Sequence, residues 1–203
     1  MVMKIAVFAS GNGSNFESIV EATRDGRLSQ IEVALLVCDK QDAYVIERAQ
    51  RLGIPTYVFQ PKQFPDKAAF ETEIVRQLET NRISFVVLAG YMRLVGDVLL
   101  HAYGGRMINL HPSLLPAFTG KDAIGQAISY GVKVTGVTVH FVDEGLDTGP
   151  IIAQLPVQVE ESDTAETLAK RIHQVEHQLL VDVINEIAEG KVKLSGRQVS
   201  RIS

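Results

Sequence analysis

Asn109 and His111 stand one residue apart in Ile108-Asn109-Leu110-His111-Pro112, and Asp147 follows in the acidic, glycine-punctuated turn Asp143-Glu144-Gly145-Leu146-Asp147-Thr148-Gly149-Pro150. The apolar run entering Asn109 predicts a strand, and alternation puts Asn109 and His111 on one face of it. A second strand, 134–142, runs out into the acidic turn. An amide, an imidazole and a carboxylate at strand ends are what an acyl-transfer site needs. The amide holds a carbonyl oxygen, the imidazole supplies a proton, and the carboxylate fixes the imidazole's charge and tautomer.

The same region admits a metal reading, with His111, His140 and Asp147 as a two-histidine, one-carboxylate set. No helix-borne histidine pair accompanies it and no cysteine is near. His140 shares its strand face with Thr138, where a positioning role fits. The expectation is proton chemistry without a metal.

A second feature, Ser10-Gly11-Asn12-Gly13-Ser14-Asn15, lies between the first strand and the first helix. In a parallel α/β sheet that turn is at the carboxyl edge, where ligands bind. Backbone N–H groups of a glycine-rich turn at a helix start make an anion site. Ser14-Asn15-Phe16-Glu17 also reads as a capping box, which would give Ser14 the task of closing the helix. A dinucleotide fingerprint is met only in part, because Phe16 stands where the third glycine belongs. The rival oxidoreductase reading would use this turn with Asp39, the acid ending the second strand. A nucleotide-binding module without activity would keep the turn and have no use for Asn109, His111 and Asp147.

On the last long helix, Glu176 falls about 60° from the centre of the apolar stripe Leu168, Ile172, Val175, Leu179 and Val183. It flanks the core and is placed to face a cleft. His173 is intermediate, and His177 falls on the solvent side.

These groups need a frame. Apolar runs at 4–9, 31–38, 56–59 and 84–89 predict strands, and amphipathic stretches at 15–25, 43–52 and 66–81 predict helices between them. In the third helix Phe70, Ile74 and Leu78 recur with helical period. Gly26, Gly53 and Asn81 stand where helix C-terminal signals belong. Such alternation predicts a parallel sheet with helices on both faces and right-handed crossovers. Strands at 134–142 and 150–159 suggest a hairpin-like antiparallel extension. Asp163, with Glu166 three residues on, marks the start of the long helix, Gly190 its end, and 191–203 a short strand-like tail.

The expected fold is therefore α/β: a single-domain, Rossmann-like twisted sheet, mostly parallel with an antiparallel extension. All 203 residues are expected to form one domain. No internal repeat or long linker divides the chain. A net charge of −4, with no basic run among aromatics, gives no reason to expect nucleic acid as a partner. The single cysteine, Cys38, excludes a disulfide framework and suggests a reducing compartment. The first apolar run is too short for a signal peptide or a membrane span, so the expected location is the cytoplasm.

The chain resembles the glycinamide ribonucleotide formyltransferases, the 10-formyltetrahydrofolate-dependent enzymes of purine synthesis. The resemblance runs from Lys4 to about Val183 and implies a single formyltransferase domain over residues 1–203, its N-terminal half phosphoribosyl-binding and its C-terminal half folate-binding. It rests on Ser10-Gly11-Asn12-Gly13-Ser14-Asn15, Leu88-Ala89-Gly90-Tyr91-Met92-Arg93, Asn109-Leu110-His111-Pro112-Ser113-Leu114-Leu115-Pro116, and Val139-His140-Phe141-Val142 with Leu146-Asp147-Thr148-Gly149-Pro150. It implies that Asn109, His111 and Asp147 are catalytic, and that Gly13, Ser14 and Asn15 receive the substrate phosphate. Glu176 would receive the glycinamide amine, with His173 beside it in place of a glutamine found in some members. Met92, Arg93, Leu94 and Val95 would receive the pterin, with Asn109 contributing and Lys67 flanking the folate. Asp143, Glu144, Gly145, Leu146 and Asp147 would close over the ring, making a pocket between the two segments. The implied partners are these two small molecules, without metal, nucleic acid or membrane, and with a homodimer left open. Relatives that formylate other substrates carry extra C-terminal domains, and the formyltetrahydrofolate hydrolase an N-terminal regulatory one, for which this chain is expected to have no room.

Overall fold

The structure, a computed structural model, describes residues 2–202. Its residue contacts fall into two compact units that divide between Ile108 and Asn109.

In the first unit, β1 (Met3–Phe8), β2 (Ile31–Cys38), β3 (Thr56–Val58) and β4 (Phe85–Leu88) lie in the order β3-β2-β1-β4, and all pair in parallel. Ile5, Ala6, Val7 and Phe8 of β1 are fully buried, as expected of a parallel strand covered on both faces. The covering helices are α1 (Ser14–Arg24), α2 (Tyr44–Leu52) and α3 (Lys67–Thr80), with a short α4 (Asp97–Tyr103) after β4. Phe70, Ile74 and Leu78 of α3 are buried together, as their period predicts. Gly53 and Asn81 cap α2 and α3 at their C-termini, whereas α1 ends on Asp25, one residue before Gly26.

The second unit takes up most of β5 (Met107–His111), inside which the division falls, and continues with α5 (Ala123–Tyr130), β6 (Val134–Phe141), β7 (Ile151–Gln158) and α6 (Ala165–Ala188). The order is β5-β6-β7, and β6 and β7 pair antiparallel, which is the expected extension. Val139 is opposite Ala153 and His140 opposite Ile151, so Ile152 is one residue in excess. A bulge of this kind re-aims side chains and often lies beside a site. A final hairpin of β8 (Val192–Ser195) and β9 (Gln198–Arg201) turns at Gly196.

Some details depart from the expected ones. Ser14 does not cap α1: the N-cap is Gly13, left-handed at φ 78°, and Ser14 is already in the first turn. Thr164, not Asp163, caps α6, because Thr164 and Thr167 form the capping box while Asp163 binds Arg171. On α6, Val175 is only half-buried and the neighbouring Glu176 is buried among the apolar positions. The C-terminal tail is two paired strands.

Candidate active site

Asn109 and His111 sit at the end of β5, His140 near the end of β6, and Asp147 in the turn that β6 feeds. Asp147 is in the left-handed region at φ 55°, which short polar side chains tolerate better than most. That backbone turn brings its carboxylate, 9% exposed, into the middle of the other three groups.

Oδ2 of Asp147 accepts the Gly120 N–H at 2.7 Å and lies 3.5 Å from Nδ1 of His111. Oδ1 is 3.4 Å from the Asn109 amide nitrogen and 4.0 Å from Nε2 of His140. The opposite nitrogen of His111, Nε2, donates to the Phe118 carbonyl at 2.8 Å. One loop, 118–120, is thus held by both His111 and Asp147.

His140 is almost wholly buried, and burial pushes its pKa below the ordinary histidine value. The bond to the Phe141 carbonyl and the Asp147 charge oppose that shift only in part. The ring is therefore neutral at physiological pH. Its Nδ1–H donates to the Phe141 carbonyl at 2.8 Å, which leaves Nε2 as an acceptor for the Asn109 N–H at 3.2 Å. His140 consequently fixes which way the Asn109 amide points. Below it, the Thr138 hydroxyl donates to the Ser113 carbonyl and accepts from the Leu115 N–H, pinning the chain just after His111. Gln154 donates to Thr138 and to the Leu115 carbonyl.

Asn109, His111, Asp147 and His140 are therefore brought together as their types suggested. Among the described residues no group of three or more His, Cys, Asp or Glu is arranged to hold a metal ion. Phe118 and Gly120 were not foreseen, since they act through backbone groups that no side-chain pattern announces. Gln154 was missed as well, because an isolated glutamine on an edge strand carries no signal.

On α6, His173 donates from Nδ1 to the Glu176 carboxylate at 2.8 Å. This bond raises the His173 pKa, against some desolvation. Glu176 is 4% exposed, a depth at which a carboxylate needs partners.

In the first unit, the glycine turn is pinned by α2. The Gly11 carbonyl accepts the Val45 N–H, and Arg48 reaches both the carbonyl and the side-chain oxygen of Asn12. Arg48 and Arg51 also pair with Glu17 of α1. A Cβ at Gly13 would come within 2.3 Å of Val45 Cγ2, so glycine is required by its φ and by its neighbour. Met92, Arg93 and Leu94 are exposed while Val95 is buried, and Lys67 opens α3 on the surface. Leu146 is exposed, and Asp143 stiffens its own turn by accepting from the Gly145 N–H and the Thr148 hydroxyl. The Asp39 carboxylate is taken by Ser10 and Arg93, which leaves it poorly placed for the part the oxidoreductase reading gives it.

An α/β frame of this kind, with an amide, an imidazole and a carboxylate gathered at the ends of two strands, defines an acyl-transfer protein. Comparison narrows the class. The formyl transferase family matches residues 3–184, and the chain belongs to that family. It is 56% identical to phosphoribosylglycinamide formyltransferase of Bacillus subtilis (strain 168) over 184 residues, 91% of this chain and 94% of that protein. Glycinamide ribonucleotide transformylase 1 from Symbiobacterium toebii superposes with a TM-score of 0.97 at 42% identity, covering 100% of this chain and 95% of the other. The same enzyme from Geobacillus kaustophilus gives 0.90 at 56% identity, over 93% and 100%.

Proposed function

We propose that this protein transfers the formyl group of 10-formyltetrahydrofolate to the amine of glycinamide ribonucleotide in purine (IMP) synthesis. The products are formylglycinamide ribonucleotide and tetrahydrofolate. The observation that carries the reading is the placement of Asn109 and His111 around the Asp147 carboxylate in a member of the formyl transferase family.

In the reaction the neutral amine attacks the formyl carbon, a C–N bond forms and the carbonyl oxygen takes negative charge. The bond from that carbon to N10 then breaks, the amine loses a proton and N10 gains one. Two donors of this site serve the oxyanion. The His111 Nε2–H would exchange the Phe118 carbonyl for the substrate oxygen. Asn109 would give up its 3.4 Å contact with Asp147, which is at the long limit for a hydrogen bond, and keep the one to His140. Asp147 faces the other nitrogen of His111 at 3.5 Å and orients the ring toward the reacting oxygen. The donor is already activated, so the reading requires no metal.

On the same reading Gly13, Ser14 and Asn15 receive the phosphate and Glu176, with His173 bonded to it, receives the glycinamide amine. Lys67, Met92, Arg93, Leu94, Val95, Asn109 and the turn from Asp143 to Asp147 receive the folate. The whole chain acts as one formyltransferase domain in the cytoplasm, on small molecules alone. No helix among the described residues is long and apolar enough to cross a membrane.

The test is one assay with the purified protein. Glycinamide ribonucleotide and 10-formyltetrahydrofolate should give tetrahydrofolate in stoichiometric yield, and neither NAD nor ATP should bind. Binding of NAD or ATP without formyl transfer would replace this reading.

A further inference from the structure

We propose that Ser10, Asp39 and Glu71 are positioning residues that fix the segment Met92-Arg93-Leu94-Val95 and thereby set affinity for the formyl donor. The inference rests on the function proposed above, which gives that segment to the folate.

At one end of the segment, a single hydroxyl joins two strands to it. Ser10 Oγ donates to Asp39 Oδ1 at 2.6 Å and accepts the Met92 N–H at 2.9 Å. The Ser10 backbone N–H binds the Gly90 carbonyl at 3.0 Å. The second oxygen of Asp39 accepts from Arg93 Nε at 2.7 Å. Ser10 and Asp39 are 2% and 5% exposed. A carboxylate so buried is tolerated only with partners, and here the partners are the hydroxyl and the guanidinium.

At the other end, Glu71 of α3 accepts the Gly96 N–H at 2.7 Å and the Leu99 N–H at 3.3 Å, capping α4 from outside that helix. Gly96 has no side chain with which to cap it, and a Cβ there would lie 2.8 Å from the Glu71 carboxylate. Glu71 is 2% exposed.

What separates this from ordinary loop anchoring is the exposure pattern. The backbone is tied at Met92 by the hydroxyl that Asp39 holds, and just past Val95, at Gly96, by Glu71, yet Met92 and Leu94 present apolar surface at 57% and 47% exposure. Apolar side chains held rigidly on a surface suit an aromatic ligand, and a binding segment must be held within about half an ångström to be effective. Asp39 also neutralises Arg93 and orients it, leaving that cation's terminal nitrogens for a carboxylate such as folates carry.

The test uses the full-length protein and the variants Ser10→Ala, Asp39→Ala, Glu71→Ala and Glu71→Gln. Both Michaelis constants, the Kd for tetrahydrofolate by calorimetry and the melting temperature are measured for each. In Ser10→Ala, Asp39→Ala and Glu71→Ala, the KM for 10-formyltetrahydrofolate and the Kd for tetrahydrofolate should rise about tenfold or more, the scale of a lost hydrogen bond to a charged group. The KM for the ribonucleotide should stay within about twofold. Glu71→Gln, which keeps one acceptor, should recover part of the folate affinity lost in Glu71→Ala. Unchanged folate constants in folded Ser10→Ala, or equal rises in both Michaelis constants, overturn the positioning role. Ser10→Ala removes one oxygen only and decides the matter if Asp39→Ala does not fold. Failure of the unmodified protein to turn over or bind tetrahydrofolate overturns the functional reading itself, whatever the variants do.

Discussion

At the residue scale, His111 has one nitrogen on the Phe118 carbonyl and the other facing Asp147, so no third protein group competes for its protons. Replacing it by alanine should cut turnover by ~10²–10⁴ while leaving both Michaelis constants nearly intact, the range typical of general acid–base help. Turnover within about threefold of the unmodified enzyme would remove His111 from the mechanism. His140 makes a different prediction. Burial lowers its pKa in the folded state, so the folded protein binds that proton less readily than the unfolded chain. The stability it contributes is complete above the unfolded value of about 6.5 and is lost as pH falls through the folded value. His173 has the opposite sign, since its pKa is raised by Glu176: its contribution is present below about 6.5 and lost as pH rises through the folded value. His173 is common to both proteins in a comparison with His140→Gln, so its effect cancels. Urea unfolding at a series of pH values should show a shallower acid-side loss in the variant, by at most about 1.4 kcal/mol per pH unit. Equal slopes would mean that His140 is not held neutral. The identities of Asn109, His111 and Asp147 were legible because few structural tasks call for those types at strand ends. The backbone partners Phe118 and Gly120 were not, since any residue could supply the same carbonyl and N–H.

At the scale of elements, the four strands and α1, α2 and α3 of the first unit were legible because apolar period and helix stop signals agree there. Two kinds of error have physical causes. Short helices escaped notice: α4 has seven residues, and α5 carries Gly125 in its interior and starts from Asp122 in the left-handed region. Caps were displaced by a residue where a competing partner took the expected side chain, as Arg171 took Asp163. The turn before α1 carries the sharper consequence. Gly13 belongs to the turn whose backbone N–H groups make the expected anion site, and in the structure its φ is 78° and the space a Cβ would fill belongs to Val45. Gly13→Ala should therefore act on the fold as well as on the ligand. The left-handed backbone alone costs an L-residue about 1–2 kcal/mol, enough to lower the melting temperature by a few degrees. Because the displaced turn is the one given to the phosphate, the KM for the ribonucleotide should rise more than that for the folate. A variant with the normal melting temperature and both constants unchanged would show that the turn neither needs glycine nor binds phosphate.

At the scale of the whole molecule, the expected class held: a mostly parallel α/β sheet with an antiparallel extension, in the formyl transferase family. Residues proposed for each substrate occur in both units: Met92 and Arg93 stand before Ile108, and Glu176 after it. One claim concerns the protein as purified rather than any single element. Formyl transfer involves no net oxidation or reduction, and its donor needs no Lewis acid to be reactive. The imidazoles best placed to ligate an ion are otherwise engaged. His111 Nε2 and His140 Nδ1 donate to backbone carbonyls, and His140 Nε2 accepts from Asn109. A cation entering beside Asp147 would have to displace the Gly120 or Asn109 contact. Exhaustive dialysis against a strong chelator should therefore leave kcat and both Michaelis constants unchanged. Activity lost on dialysis and restored by Zn²⁺ or Fe²⁺ would place a metal among His111, His140 and Asp147 and would recast the carboxylate as its ligand.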